Sequence, residues 1–180
     1  AHFIELSGLG VDEVGAAGQS KLWLRGGFPR SYLAPSDDRS GAWRDDFMRS
    51  FFERDLPMLG TRVNTLAMRR FWGLLAHTHA QVSNASALAR ALGVTQPVVV
   101  RYLDLLAGTF LVRRLHAWFE DVGKRQVKSP KVYLRDSGLL HALLGIESRA
   151  DLLGRPQVGA SWEGFALESI VSAAPRAEAY

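Results

Sequence analysis

His77 and His79 are the closest pair of side chains in the sequence that could share a metal ion. On a helix, residues two apart point in different directions, so they make a poor ligand set. Glu163 and Glu168 fall on one expected helix, but five residues place them roughly 140° apart around its axis, too far for two carboxylates to act on one substrate. Glu163, in the first turn of that helix, is explained by the helix dipole. No cysteine is present and no serine sits in a G-x-S-x-G elbow, so nucleophilic catalysis has no candidate. The nearest approach to a phosphate-binding loop is Gly15-Ala-Ala-Gly18-Gln-Ser-Lys21, in which glycines and lysine have the wrong spacing and order to wrap a nucleotide. Catalytic, metal and cofactor sites are therefore all read as none. Recognition of nucleic acid or protein remains.

Seven residues have the chemistry for nucleic acid. Arg113, Arg114, Lys124, Arg125 and Lys128 are cations that can meet phosphate, while Gln96 and Arg101 project from the outer side of an expected helix. Between Gly108 and Lys131 there are six cations, Lys131 included, against Glu120 and Asp121, which equals the whole formal excess of +4. A charge run of this kind also serves simply as a solvated face. The helix offers Gln96, Arg101 and Asp104 together with Pro97, Val98 and Val100. So apolar a face suits cover by another domain better than base-by-base reading, and leaves contact with the backbone of double-stranded DNA to Arg113, Arg114, Lys124, Arg125 and Lys128.

The elements that must position these residues read as a winged helix-turn-helix. A first helix spans residues 86–92, Gly93-Val94 makes the turn, and Thr95 is placed to cap a second helix over residues 96–107, with Pro97 in its first turn. Gly93 reverses the chain with φ > 0 at no steric cost. Val99, Leu103 and Leu106 recur on one side of the second helix, facing Leu88 and Leu92. After Gly108, β-favouring residues 110–119, a charged turn and residues 131–134 predict two strands and a basic wing.

The flanks are mostly helical. Residues 2–6 read as a short strand, Asp12 as the cap of a short helix that Gly15 and Gly18 disrupt, and Gly26-Gly-Phe-Pro-Arg30 as a joint between units. Ser40 is expected to cap a helix over residues 42–56 that ends at Pro57, with Trp43, Phe47, Met48, Phe51 and Phe52 directed to a core. A helix over residues 65–78 precedes the helix-turn-helix. Asp136 is expected to cap a short helix closed by Gly145, residues 147–161 to form a loop, and residues 162–173 a last helix. The fold class is thus mainly α, or α+β: a winged helix-turn-helix core with a small antiparallel wing, flanked by helical segments. Its divisions are residues 1–35, a linking helix in 36–60, the winged helix in 61–145, and the start of a further domain in 146–180. The 180 residues are 47% hydrophobic and lack cysteine, which suits a reducing cytoplasm. No apolar run approaches the roughly 20 residues of a membrane span, and the ends of the sequence read as cuts through a longer protein.

Several short motifs in order carry a resemblance: Gly26-Gly-Phe-Pro-Arg30, Glu53-Arg-Asp-Leu56, Arg101-Tyr-Leu103 with Phe110-Leu-Val112, Pro130-Lys-Val-Tyr133, Asp136-Ser-Gly-Leu139 and Trp162-Glu-Gly-Phe165. The series resembles the C-terminal region, a domain of unknown function, of prokaryotic AAA-type P-loop ATPases. That resemblance covers nearly the whole chain. It implies an ATPase core, using ATP and Mg, that lies upstream and whose tail and joint are residues 1–35, then a winged helix, then a domain similar to the restriction-endonuclease fold, both neighbours being partners within the same parent chain. It further implies that Glu163 lies in the opening helix of the nuclease-like domain, whose remaining carboxylates fall after Tyr180. This portion is therefore expected to be non-catalytic. Two alternatives stand beside a DNA-binding role: a piece of a metal-dependent nuclease, and a protein–protein interaction module.

Overall fold

The computed structural model describes residues 6–58, 63–117 and 129–173. The strand expected over residues 2–6 falls almost wholly outside them. The chain divides into two compact units, one made of residues up to Asp45 together with those from Asp136 onward, the other of Asp46–Arg135.

In the first unit, α1 (Val11–Arg25) starts at Gly10, whose N–H donates to the Glu13 carboxylate at 2.8 Å. Gly10, rather than Asp12, is thus the capping position. Gly15, with φ 69° and ψ 171°, kinks α1 as expected, whereas Gly18 is carried within the helix. Gly26 closes α1 at φ 79°, and α2 (Pro29–Tyr32) follows with proline in its first turn. α3 (Asp37–Ser50) begins earlier than the sequence suggested. Ser36, not Ser40, offers its hydroxyl to the first turn, accepting from Arg39 N at 3.2 Å. Ser40 is enclosed instead, its Oγ 2.8 Å from that of Ser31.

The C-terminal part of this unit holds α8 (Ser137–Leu143), α9 (Arg149–Gly154) and α10 (Val158–Ala173), while α4 (Leu56–Met58), α5 (Thr65–His77), α6 (Ala85–Leu92) and α7 (Gln96–Gly108) lie in the other unit. The expected loop over residues 147–161 is largely helical. Ser148 caps α9 by accepting from Asp151 N, and α10 starts before Trp162. Leu22, Trp23, Leu24, Ile146, Leu152 and Phe165 form the apolar core.

Polar groups are buried beside that core. Arg44, the most enclosed arginine or lysine among the described residues, is 1% exposed and donates to the carbonyls of Gly138 at 2.8 Å, Leu24 at 3.3 Å and Ser40 at 3.3 Å. Burial lowers its pKa, and the nearby carboxylates of Asp136, Asp45 and Asp37 oppose that shift. Asp136 caps α8 as expected, accepting from Leu139 N at 2.8 Å, and also accepts from Gly27 N at 2.8 Å. Burial pushes its carboxyl up; these N–H donors and Arg44 pull it back. Two glycines permit the approach of the segments. A Cβ on Gly26 would strike the Asp136 carboxylate, and one on Gly138 would strike the carbonyl of Arg25.

The second unit is a winged helix. The chain of α3 continues through a π-helical turn (Phe51–Asp55) into α4 (Leu56–Met58), so Pro57 sits inside helical structure rather than ending it. The wider turn leaves the neighbours Phe51 and Phe52 both buried, with Phe52 against Trp72 at 5.3 Å between ring centres. α5 (Thr65–His77) is capped by Asn64, which accepts from Ala67 N at 3.0 Å. A three-stranded antiparallel sheet is ordered β1 (Gln81–Val82), β3 (Lys131–Leu134), β2 (Val112–Leu115). Val112 pairs with Leu134 and Leu115 with Lys131, which fixes the wing's register. The strand β1, absent from the sequence reading, pairs Gln81 with Val132.

Candidate nucleic-acid interface

The interface is built on α6 (Ala85–Leu92) and α7 (Gln96–Gly108). Asn84 caps α6, its Oδ1 accepting from Ala87 N at 3.0 Å and from Ser86 Oγ at 2.9 Å. Gly93 ends it in the left-handed region at φ 67° and ψ 33°, where a glycine pays no steric penalty. Thr95 occupies the capping position of α7 with extended backbone, but its hydroxyl makes no capping hydrogen bond. Pro97 in the first turn and Thr95 O, which accepts from Val98 N and Val99 N, start the helix without it.

Packing fixes which side of α7 faces out. Val99 and Leu106 are fully buried and Leu103 and Leu88 nearly so, while Leu92 is half-buried at the rim. Phe71 of α5 meets Tyr102 at 5.6 Å. The opposite stripe is exposed and consists of Gln96, Pro97, Val100, Arg101 and Asp104, with Val98 half-buried beside it. Along the start of this stripe lies an open groove of about 590 Å³, lined by Ser83, Asn84, Ser86, Gln96 and Ser129 together with Val82 and Ala85.

The wing is tied to the helix by charge. Arg114 on β2 donates from a terminal nitrogen to Asp104 Oδ1 of α7 at 2.8 Å. Gln96 and Arg101 thus share one exposed surface, Arg114 is joined to it through Asp104, and Arg113 is half-buried on the same strand. Lys124, Arg125 and Lys128 lie outside the described residues.

Charge is segregated between the two units in a way the linear sequence conceals. By sequence, Asp46–Arg135 carries fourteen Lys and Arg against six Asp and Glu, a formal +8; the remainder carries eight against twelve, a formal −4. Besides the wing, the excess comes by sequence from eight arginines against four carboxylates, among them the exposed Arg69 and Arg70 on α5, Arg90 on α6 and Arg101 on α7. The expectation had placed it in the wing alone.

The catalytic candidates fall elsewhere. His79 is buried, and its Nδ1 accepts from Leu134 N at 3.0 Å, closing the end of the sheet, whereas His77 is exposed. Glu163 is exposed on α10, and Glu168 is half-buried. Among the described residues no group of three or more His, Cys, Asp or Glu is arranged to hold a metal ion, and no helix is long and apolar enough to cross a membrane.

Fold and surface define a winged-helix protein with a cationic unit. The chain belongs to the family described as "Domain of unknown function (DUF8612)", which matches residues 17–150. It is similar to uncharacterized protein Rv2008c of Mycobacterium tuberculosis and uncharacterized protein Mb2031c of Mycobacterium bovis, each 51% identical over 171 residues. The alignment covers 95% of this chain and 39% of each relative, so the chain spans about two-fifths of their length. A solved structure titled "The crystal structure of transcriptional regulator PA3341" is 24% identical, with 75% of this chain and 96% of that chain covered and a TM-score of 0.32. The winged-helix assignment rests on the caps, the turn and the sheet register rather than on that likeness.

Proposed function

We propose that the chain is the winged-helix portion of a larger prokaryotic ATP-binding protein of the AAA type, and that it binds the backbone of double-stranded DNA through α7 and the wing. The observation that carries the DNA reading is the segregation of charge: a formal +8 in the same unit as a helix-turn-helix. Polyanionic DNA is drawn to such a unit by release of its condensed counterions. Gln96, Arg101, Arg113 and Arg114, together with Lys124, Arg125 and Lys128, supply the phosphate contacts. This portion acts by binding, without catalysis, in the cytoplasm.

The parent assignment is supported by the ordered series of motifs from Gly26 to Phe165 and by relatives more than twice as long as this chain. ATP and Mg belong to the remainder of that parent.

Titration of a labelled duplex by fluorescence anisotropy tests the DNA reading. Affinity should fall steeply and linearly on a log–log plot with salt, and reversing Lys124, Arg125 and Lys128 to glutamate should weaken binding and flatten the slope. Absence of binding at low salt would leave α7 as a docking face for another protein domain, which the exposed Pro97 and Val100 would then meet. The parent assignment is tested separately by nucleotide binding to full-length Rv2008c.

A further inference from the structure

The exposed stripe of α7 is an unusual one for a helix that meets only phosphate. Val100 is 42% exposed, and Pro97 one turn earlier is exposed as well. Both are apolar and can donate no hydrogen bond to a phosphate oxygen. They are flanked by Gln96 and Arg101, which can. The one carboxylate on the stripe, Asp104, is held by Arg114 at 2.8 Å, so its charge is offset within the protein. The face therefore presents hydrocarbon between polar groups, in a unit of formal charge +8.

Duplex DNA has one hydrocarbon group of its own in the major groove, the C5-methyl of thymine. The N-terminal residues of the second helix of a helix-turn-helix are those that approach base edges, and Pro97 and Val100 lie in the first two turns of α7. We infer that α7 reads thymine C5-methyl groups through Val100 and Pro97, with Arg101 and Gln96 anchoring it to neighbouring polar edges or phosphates. The inference rests on the DNA-binding reading above and adds sequence selectivity to it. Thymine-rich major grooves are its target. Charge complementarity selects DNA over a protein partner as the occupant of this face.

Duplexes retained from a randomised pool under rising salt are to be resynthesised with uracil in place of thymine, which removes the methyl and leaves the pairing unchanged. The wild-type chain should bind the uracil duplex about fourfold more weakly for each methyl it buries. Val100→Ser should bind the two duplexes with more nearly equal affinity, and Val100→Thr, which keeps a methyl, should restore much of the difference. Circular dichroism confirms that both variants are folded. Equal affinity of the wild type for thymine and uracil duplexes, or no enrichment of any sequence from the pool, overturns the inference while salt-dependent binding upholds the DNA reading. Failure to bind any duplex at low salt overturns both.

Discussion

Ser161 Oγ lies 2.7 Å from His141 Nε2, and both residues are fully enclosed. A serine hydrogen-bonded to a histidine invites comparison with a nucleophile and its base. Its surroundings give another answer. His141 Nδ1 is 2.9 Å from Leu24 O, and a carbonyl can only accept, so Nδ1 carries the proton and Nε2 accepts from Ser161. Ser161 in turn accepts from Trp23 Nε1 at 2.9 Å. Every member of the chain is satisfied inside the core, and no substrate reaches it. The pair pins α1, α8 and α10 together.

Ser161→Ala should consequently destabilise this unit by about 1–3 kcal/mol, because it removes the buried hydroxyl to which the Trp23 indole N–H and His141 Nε2 both bond. Denaturant unfolding followed by tryptophan fluorescence measures the loss, and a neutral result would break the proposed chain of donors.

Arg44 is the second buried anchor. Its forked guanidinium reaches three carbonyls on separate segments, a geometry that a lysine ammonium cannot reproduce. Arg44→Lys should therefore cost about 3 kcal/mol, in the range seen when a buried charge loses its partners. The same unfolding measurement decides it, and retention of full stability would show that the carbonyls are satisfied otherwise.

Gly138→Ala is expected to be as damaging for a steric reason. The added methyl meets the backbone oxygen of Arg25, which cannot swing aside as a side chain would. Overpacking of this kind costs about 1–3 kcal/mol, read as a lowered denaturation midpoint. Gly154→Ala, where a Cβ meets nothing within 4 Å, is the matched control.

On the winged helix, Asp104→Asn removes the only carboxylate of the exposed stripe and releases Arg114. Duplex affinity should rise, most at low salt, because a negative charge leaves the surface that meets phosphate. Unchanged affinity would place α7 away from the DNA.

A pH effect is expected at α9. Arg155 donates to Asp151 at 2.9 Å and holds its carboxyl below the ordinary range. A depressed carboxylate pKa means that the pair's contribution is complete above the ordinary value and is lost as pH falls through the depressed one. The stability difference between wild type and Asp151→Asn should therefore be constant at neutral pH and vanish in acid. Because water still reaches this half-buried pair, the difference will be small.

The helix-turn-helix was legible because its determinants are local: Gly93 needs only its own dihedrals, and Leu88, Val99, Leu103 and Leu106 declare themselves by spacing. The role of Arg44 was hidden because Gly138 is 94 positions away and Leu24 is 20, beyond any periodicity. Ser40 was misread as a cap because a serine before a helical pattern looks the same whether it starts the helix or is buried within it. Strand β1 has only two residues, too few for alternation to show. Of the candidate interface, the sequence offered the cations, while the link between Asp104 and Arg114 and the segregation of charge between units required the fold.

Gly26, Gly27, Asp136 and Gly138 meet at one joint where a helix end and a helix start press together. Their chemistry is spent on each other. Together these four residues fix how the backbone is buckled, a role of architecture.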